Sequence, residues 1–339
     1  MGTNELILRK NQAGLESTRG TAVPATRKVY ATIEPSYEKP LAFFQDTSGT
    51  YSARRRKVYG RERVSFTATD LVTFEDIAWW FQLAIKGGVT GVSDSSTTPG
   101  YTYTFEPTES SDDLKAMTLE FGESGNPYEA DQVMINSWTL RGDPDSDSEP
   151  AWMFEAEMMG RTISTTTYTS SINDRTTEPC IARGTKIYVD TAYGSLGTTQ
   201  LTGHLINWSV TGNNNLHFKA FAEDETNMAA NKVGRGERTY DFEFTMEFDS
   251  DTTVGGFKDY RDGDELFVRL LREGGTIDAA ATPVTKKKLQ IDMAGFISSI
   301  SFGDRDGNMT ITVGMNCAYN ADLAYDLKAT VKNALSTLA

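Results

Sequence analysis

The chain has 339 residues, more than one typical domain needs and enough for two, since domains cluster near about 100 to 150 residues. Hydrophobic residues at 38% and aromatics at 11% supply real cores and exclude wholesale disorder. Forty-seven acidic against 33 basic residues give a formal charge of -14, the wrong sign for a surface that displaces counterions from phosphates, so specific nucleic-acid binding is excluded.

In chain order, the opening MGTNELILRK has no apolar core behind its charges, and the longest strongly apolar stretch runs only from Ile77 to Ile85, so neither a signal peptide nor a membrane span is expected. Most of the remaining chain reads as strand. Short alternating runs rich in Val, Ile, Thr, Tyr and Phe lie between Gly, Asp, Asn and Ser clusters: Arg63 to Thr69, Tyr101 to Glu106, Leu114 to Phe121, Trp152 to Met158, Thr239 to Phe248 and Met309 to Cys317. The sheets are expected to be antiparallel and half-exposed.

Helix is scarce. Thr73 can cap a helix with Asp76 three residues on, Ile77, Trp80, Phe81 and Ala84 falling on one face before Gly87-Gly88 ends it. A second helix is expected from Glu265 to Arg272, stopping at Gly274-Gly275. A third is expected from Ala321 to Leu335, where Leu323, Leu327, Val331 and Leu335 recur every four residues.

A repeat organises these elements. Lys57 to Gly88 reads strand, capped helix, Gly-Gly, and Lys232 to Gly275 reads the same with a longer middle. Ser137-Trp-Thr-Leu-Arg-Gly-Asp-Pro-Asp before one strand matches Ser299-Ile-Ser-Phe-Gly-Asp-Arg-Asp-Gly before another, each a hairpin with a Gly-Asp-x-Asp turn. The repeat implies two domains, 1–165 and 178–339, parted by the polar stretch Ser164 to Thr177, which lacks apolar periodicity. Each carries a long polar segment after its early strands: Glu38 to Gly60, with Arg54, Arg55, Arg56 and Lys57, and Ala222 to Gly236, with Glu223, Asp224 and Glu225.

Catalytic constellations are missing. His204 and His217 are the only histidines and lie in strand-like sequence, and there is no GxSxG elbow, so no base stands beside a nucleophile. Two distant cysteines, Cys180 and Cys317, make neither a disulfide framework nor a zinc spacing, and fit a reducing compartment. The turns Asp143 to Glu149 and Asp304 to Asn308 carry oxygen ligands at alternate positions, but lack the bidentate Glu of a calcium loop and read as hairpin turns. Gly234-Arg-Gly236 is no phosphate fingerprint. No enzyme activity, metal or cofactor is expected.

With these features in place, the chain resembles the tail tube proteins of long-tailed bacteriophages. The resemblance rests on the phrase GLESTRGTAVPAT from Gly14 to Thr26, a β-sandwich with one short flanking helix, and the long loop after an early strand. It implies a mostly β protein of two similar antiparallel sandwich or half-barrel domains, each with a short flanking helix, plus N- and C-terminal arms. It implies a structural virion protein whose spare strand edges join copies into rings, here a trimer with pseudo-sixfold symmetry, stacked head to tail as a conduit for DNA ejection. Its partners would be itself, the tape measure protein and the tail terminator and tip proteins. It would be assembled in the host cytoplasm, and DNA would pass without specific binding.

The same resemblance assigns the bridging of successive rings to Met1 to Thr26 and Glu38 to Gly60, with Arg54, Arg55, Arg56 and Lys57, and to Ala222 to Gly236, with Glu223, Asp224 and Glu225. An acidic lumen repels DNA, and alternating Asp241, Glu243 and Glu247, with Glu155 and Glu157, are the candidates to line it. Two other classes compete. A carbohydrate- or protein-binding sandwich, adhesin-like, needs an exposed aromatic cluster, for which Trp79-Trp80 or Trp138 and Trp152 are the candidates; a hydrolase would need a carboxylate pair that nothing in the sequence selects.

Overall fold

The computed structural model describes residues 9–45, 47, 49, 51, 54–94, 98–107, 113–123, 125–219, 221, 232–248 and 257–338. The first half holds β1 (Arg9–Leu15), β2 (Arg27–Lys28), β3 (Thr32–Glu38), β4 (Leu41–Gln45), β5 (Arg54–Tyr59), β6 (Arg63–Leu71), α1 (Ile77–Ala84), β7 (Val92–Ser93), β8 (Tyr101–Phe105), β9 (Met117–Glu123), β10 (Asn126–Gly142), β11 (Met153–Gly160) and β12 (Thr162–Thr165). The second holds β13 (Lys186–Asp190), β14 (Leu205–Asn213), β15 (Leu216–Lys219), β16 (Lys232–Arg235), β17 (Thr239–Glu247), α2 (Phe257–Asp262), β18 (Glu265–Asp278), β19 (Thr285–Arg305), β20 (Asn308–Cys317) and β21 (Leu327–Asn333). The protein is mostly β, as its alternation implies, and its strand pairings are antiparallel.

Two-residue alternation sets which side of each strand is buried. In β6 Val64, Phe66, Ala68 and Asp70 turn inward between exposed neighbours, and in β17 Tyr240, Phe242, Phe244 and Met246 do the same. In the turn that leads into α1 the Thr73 hydroxyl accepts the Asp76 N–H at 3.1 Å, while Asp76, at the N-cap of α1 itself, makes no side-chain cap bond. All eight residues of α1 are buried, not one face, because β-structure surrounds it.

The strands pair in the same order in both halves. In the first, β1 pairs β9, β9 pairs the start of β10, and that start also pairs β12, while the end of β10 pairs β11, β11 pairs β6 and β6 pairs β3. In the second, β13 pairs β18, β18 pairs the start of β19, and that start also pairs β21, while the end of β19 pairs β20, β20 pairs β17 and β17 pairs β14. The long strands β10 and β19 each pass from one sheet to another, with a bulge at matching places, between Ile135 and Ser137 and between Ile297 and Ser299. Helix α1 packs on β10, and α2 on β19.

The halves join twice. The end of β10 pairs β14, so that one sheet runs β3–β6–β11–β10–β14–β17–β20–β19, and β8 from the first half pairs β21 of the second. The core is continuous across this junction: Trp138 lies 6.1 Å from Tyr240, and Trp152 lies 4.2 Å from Trp208, ring centre to ring centre.

Two expectations are corrected. Glu265 to Arg272 is the start of β18, not a helix, and the helix of that region is α2, just before it. Leu266 and Phe267 are both buried, so the strand is covered on both faces and reads as a continuous apolar run that periodicity cannot tell from a buried helix. The C-terminal segment is strand β21, not a helix: spacing by four is even, so Leu327 and Val331 satisfy two-residue alternation equally, with Ala329 between them also buried. The long polar segment Glu38 to Gly60 contains the hairpin β4–β5.

Candidate functional site

Residues opposite one another in a β-ladder share a face, so the registers assign every side chain of the eight-stranded sheet. Glu155 lies opposite Thr69 and Thr139, and Glu157 opposite Thr67 and Ser137. Thr139 lies opposite Thr211, and Thr211 opposite Asp241; Glu243 lies opposite Ser209 and Gly314. Glu247 shares the parity of Asp241 and Glu243. The five acidic residues singled out in the sequence therefore stand on one face, together with Ser36, Ser65, Thr67, Thr69, Ser209 and Ser301.

This face is polar and tied laterally. Thr139 and Thr211 hydroxyls meet at 3.3 Å, those of Thr245 and Thr312 at 2.9 Å, and the Ser137 hydroxyl donates to Glu157 at 2.9 Å. Arg141 lies on the same face but is held between two carboxylates, Glu155 at 2.8 Å and Glu149. These bonds raise its pKa and hold Glu149 below the usual carboxylate range. Glu34 on β3 extends the acid face toward one edge.

Both ends of this sheet lack a strand partner among the described residues. β3 pairs only with β6, and from Ser299 onward β19 pairs only with β20; no register among the described residues joins one end to the other. Apolar side chains mark both ends. Tyr37 and Phe302 are each 50% exposed, and Pro35 is exposed, although alternation turns all three toward the core side.

The hairpin β4–β5 follows β3 in the chain and its two strands pair with each other. Arg54, Arg55, Arg56 and Lys57 lie on its exposed strand β5, and Leu41, Phe43, Phe44, Val58 and Tyr59 are exposed with them. The acidic candidates Glu223, Asp224 and Glu225 lie outside the described residues.

No known family model matches this chain, and no curated protein does. Its own geometry is what bears on function. Trp79, Trp80, Trp138 and Trp152 are all at most 2% exposed, so the aromatic platform of a sugar-binding alternative is absent at those positions. His204 is half-buried, His217 exposed, and the two cysteines are unbridged. Among the described residues no three His, Cys, Asp or Glu side chains gather as a metal site, and no helix is long and apolar enough to cross a membrane. The turns that carry calcium-like spacing touch each other instead, Arg305 pairing with Asp145.

The edge residues escaped the sequence reading. Ile33, Pro35 and Tyr37 alternate like any core strand, and only aligning β3 with its counterpart β14 separates a covered strand from an uncovered one.

Proposed function

We propose that this chain is a structural protomer that joins copies of itself into stacked rings, forming a hollow tube through which DNA passes, as in the tail tubes of long-tailed bacteriophages. The observation that carries the reading is the eight-stranded sheet that is acid- and hydroxyl-bearing on one face and, among the described residues, unpaired at both ends. Open edges of this length, with exposed aromatic side chains and few charges facing the core side, are templates for another strand. Curling such sheets edge to edge leaves no free edge and turns one face inward as a channel wall.

The matching pairing order of the two halves is what a duplicated unit produces, and three copies would then supply six similar units to a ring. Heterologous, head-to-tail contacts of this kind close into rings when the rotation permits and otherwise run on as filaments. An inward face bearing Glu155, Glu157, Asp241, Glu243 and Glu247 keeps a duplex from adsorbing, because both carry negative charge. The tape measure protein and the terminator and tip proteins would set the tube's length and ends, in a tail assembled in the host cytoplasm. As the resemblance implies, the N-terminal arm and the segment Glu38 to Gly60 would bridge to the next ring.

Negative-stain microscopy across a concentration series tests this. Annuli or tubes with a stain-filled centre are expected as concentration rises, and particles that stay single at the highest concentration would overturn it.

A further inference from the structure

The ladder between β10 and β14 joins the two halves of one chain, and because both halves pair their strands in one order, it is a template for the junction between chains. The bulges fix the correspondence: Ser137 matches Ser299, with Ile135 matching Ile297. Carried across the sheet through β11 and β6, and through β20 and β17, the registers match Glu34 to Ser209, Ser36 to Thr211 and Glu38 to Asn213.

The two hairpins correspond as well. Leu41 begins β4 three residues after Glu38, and Leu216 begins β15 three residues after Asn213. Each hairpin is closed at its root by the same backbone bond, Gly60 N–H to the Pro40 carbonyl at 2.7 Å and Gly236 N–H to the Asn215 carbonyl at 2.8 Å. Yet their surroundings differ. Leu216 is buried against Met134, Leu114 and Ala116 of the first half, whereas Leu41 is exposed. The second-half counterpart of Met134 is Phe296, and it is 47% exposed. The same inequality holds along the edges: Trp138 and Leu140 are buried where Ile300 and Phe302 are uncovered to differing degrees, and Val210 and Gly212 are buried where Pro35 and Tyr37 are exposed.

We infer that the edge strip Phe296 to Phe302 of one copy, exposed at Phe296, Ser298, Ser299, Ser301 and Phe302, receives residues 33–41 of the next copy, β3 extending the sheet beside β19 and Leu41 seating on Phe296. The inference rests on the tube reading and names the partner surface within it. By the template, Ser301 lies opposite Ser36 of the neighbouring copy, Ser299 opposite its Glu38, and Gly303 opposite its Glu34. Pro35 matches Val210, and a proline within a sheet turns its missing donor toward the free edge, so this ladder carries one bond fewer than the internal one. The internal junction also has what the outer one lacks: Trp138 lies over Gly212, Trp208 over Gly142, and β8 adds a second ladder. Chains should therefore separate at the outer junction and stay whole at the inner one.

Paired cysteines test the register. Ser36→Cys and Ser301→Cys are placed on separate chains carrying Cys317→Ser, mixed, concentrated and oxidised; opposed ladder positions fall within disulfide reach. Linked dimers on non-reducing gels are expected at about tenfold or more over a Thr32→Cys and Ser301→Cys pair, which is four residues out of register. In parallel, Phe296→Asp is expected to raise the concentration needed for assembly about tenfold or more while the circular dichroism and melting of the dilute chain stay unchanged. Rings that form with the out-of-register pair linked, or with Phe296→Asp assembling normally, would overturn this interface and leave the tube reading standing. Absence of both rings and links would overturn both.

Discussion

Gly212 on β14 faces Trp138 on β10, and a methyl group there has nowhere to go. A Cβ at Gly212 would stand 2.4 Å from Cε2 and Nε1 of the indole, far inside contact distance. The ring cannot swing away freely, because Phe154, Tyr240 and Phe81 hold it with centres at 6.2, 6.1 and 6.4 Å. Overpacking of this kind costs about 1–3 kcal/mol, and confinement between two paired strands places Gly212→Ala toward about 2–3 kcal/mol. With a urea m-value of about 3 kcal/mol/M, the midpoint followed by far-UV circular dichroism falls by about 0.7–1 M. Trp138→Phe removes the offending part of the ring, so Gly212→Ala should cost at least about 1 kcal/mol less in that background. An unchanged midpoint for Gly212→Ala, or equal losses in both backgrounds, would refute the packing of this junction.

Burial raises the Asp70 carboxyl to about 6 from its ordinary 3.8, although the Trp80 indole donates to it at 2.7 Å. A carboxyl with a raised pKa binds its proton more tightly when folded, so its contribution is most favourable in acid and is lost as pH climbs from about 4 to 6. Asp70→Asn keeps an acceptor for Trp80 and should raise stability at pH 7 by about 2–3 kcal/mol, a difference from the parent that vanishes below pH 4 in urea titrations. Arg27, 3% exposed, bonds Asp76 and the Leu338 carbonyl and lies 4.6 Å over Trp79. Arg27→Met should destabilise by about 3–5 kcal/mol in thermal melts, and Asp76→Asn in the same chain should recover part of the loss. Asp241→Lys with Glu243→Lys should make assembled tubes retain duplex DNA in a salt-sensitive manner, where the parent retains none; retention by neither would contradict an inward acid face.

The sequence made some of this legible and hid the rest for identifiable reasons. β6 and β17 alternate cleanly because one face of the sheet meets water, and α1 announces itself through Thr73 and Asp76. β18 and β21 were readable as helices because one is covered on both faces and the other spaces its leucine and valine evenly. The pairing of β8 with β21 crosses more than two hundred residues between partners such as Tyr103 and Val331, a separation no local pattern encodes. Of the candidate site, the acid face was foreseeable from alternation within β11 and β17. The edge strip was not, since Phe296, Phe302, Leu41 and Tyr37 look like core residues until their better-covered counterparts are set beside them.

Hydrogen exchange at low and high protein concentration bears most directly on self-assembly through open edges. Amides of Ile33 and Tyr37, and alternate amides from Ser299 to Arg305, are expected to exchange quickly in the dilute chain and become protected on concentration, while those between β10 and β14 are protected throughout. Protection of both edges in the dilute chain, or rapid exchange there in the concentrated one, would contradict it.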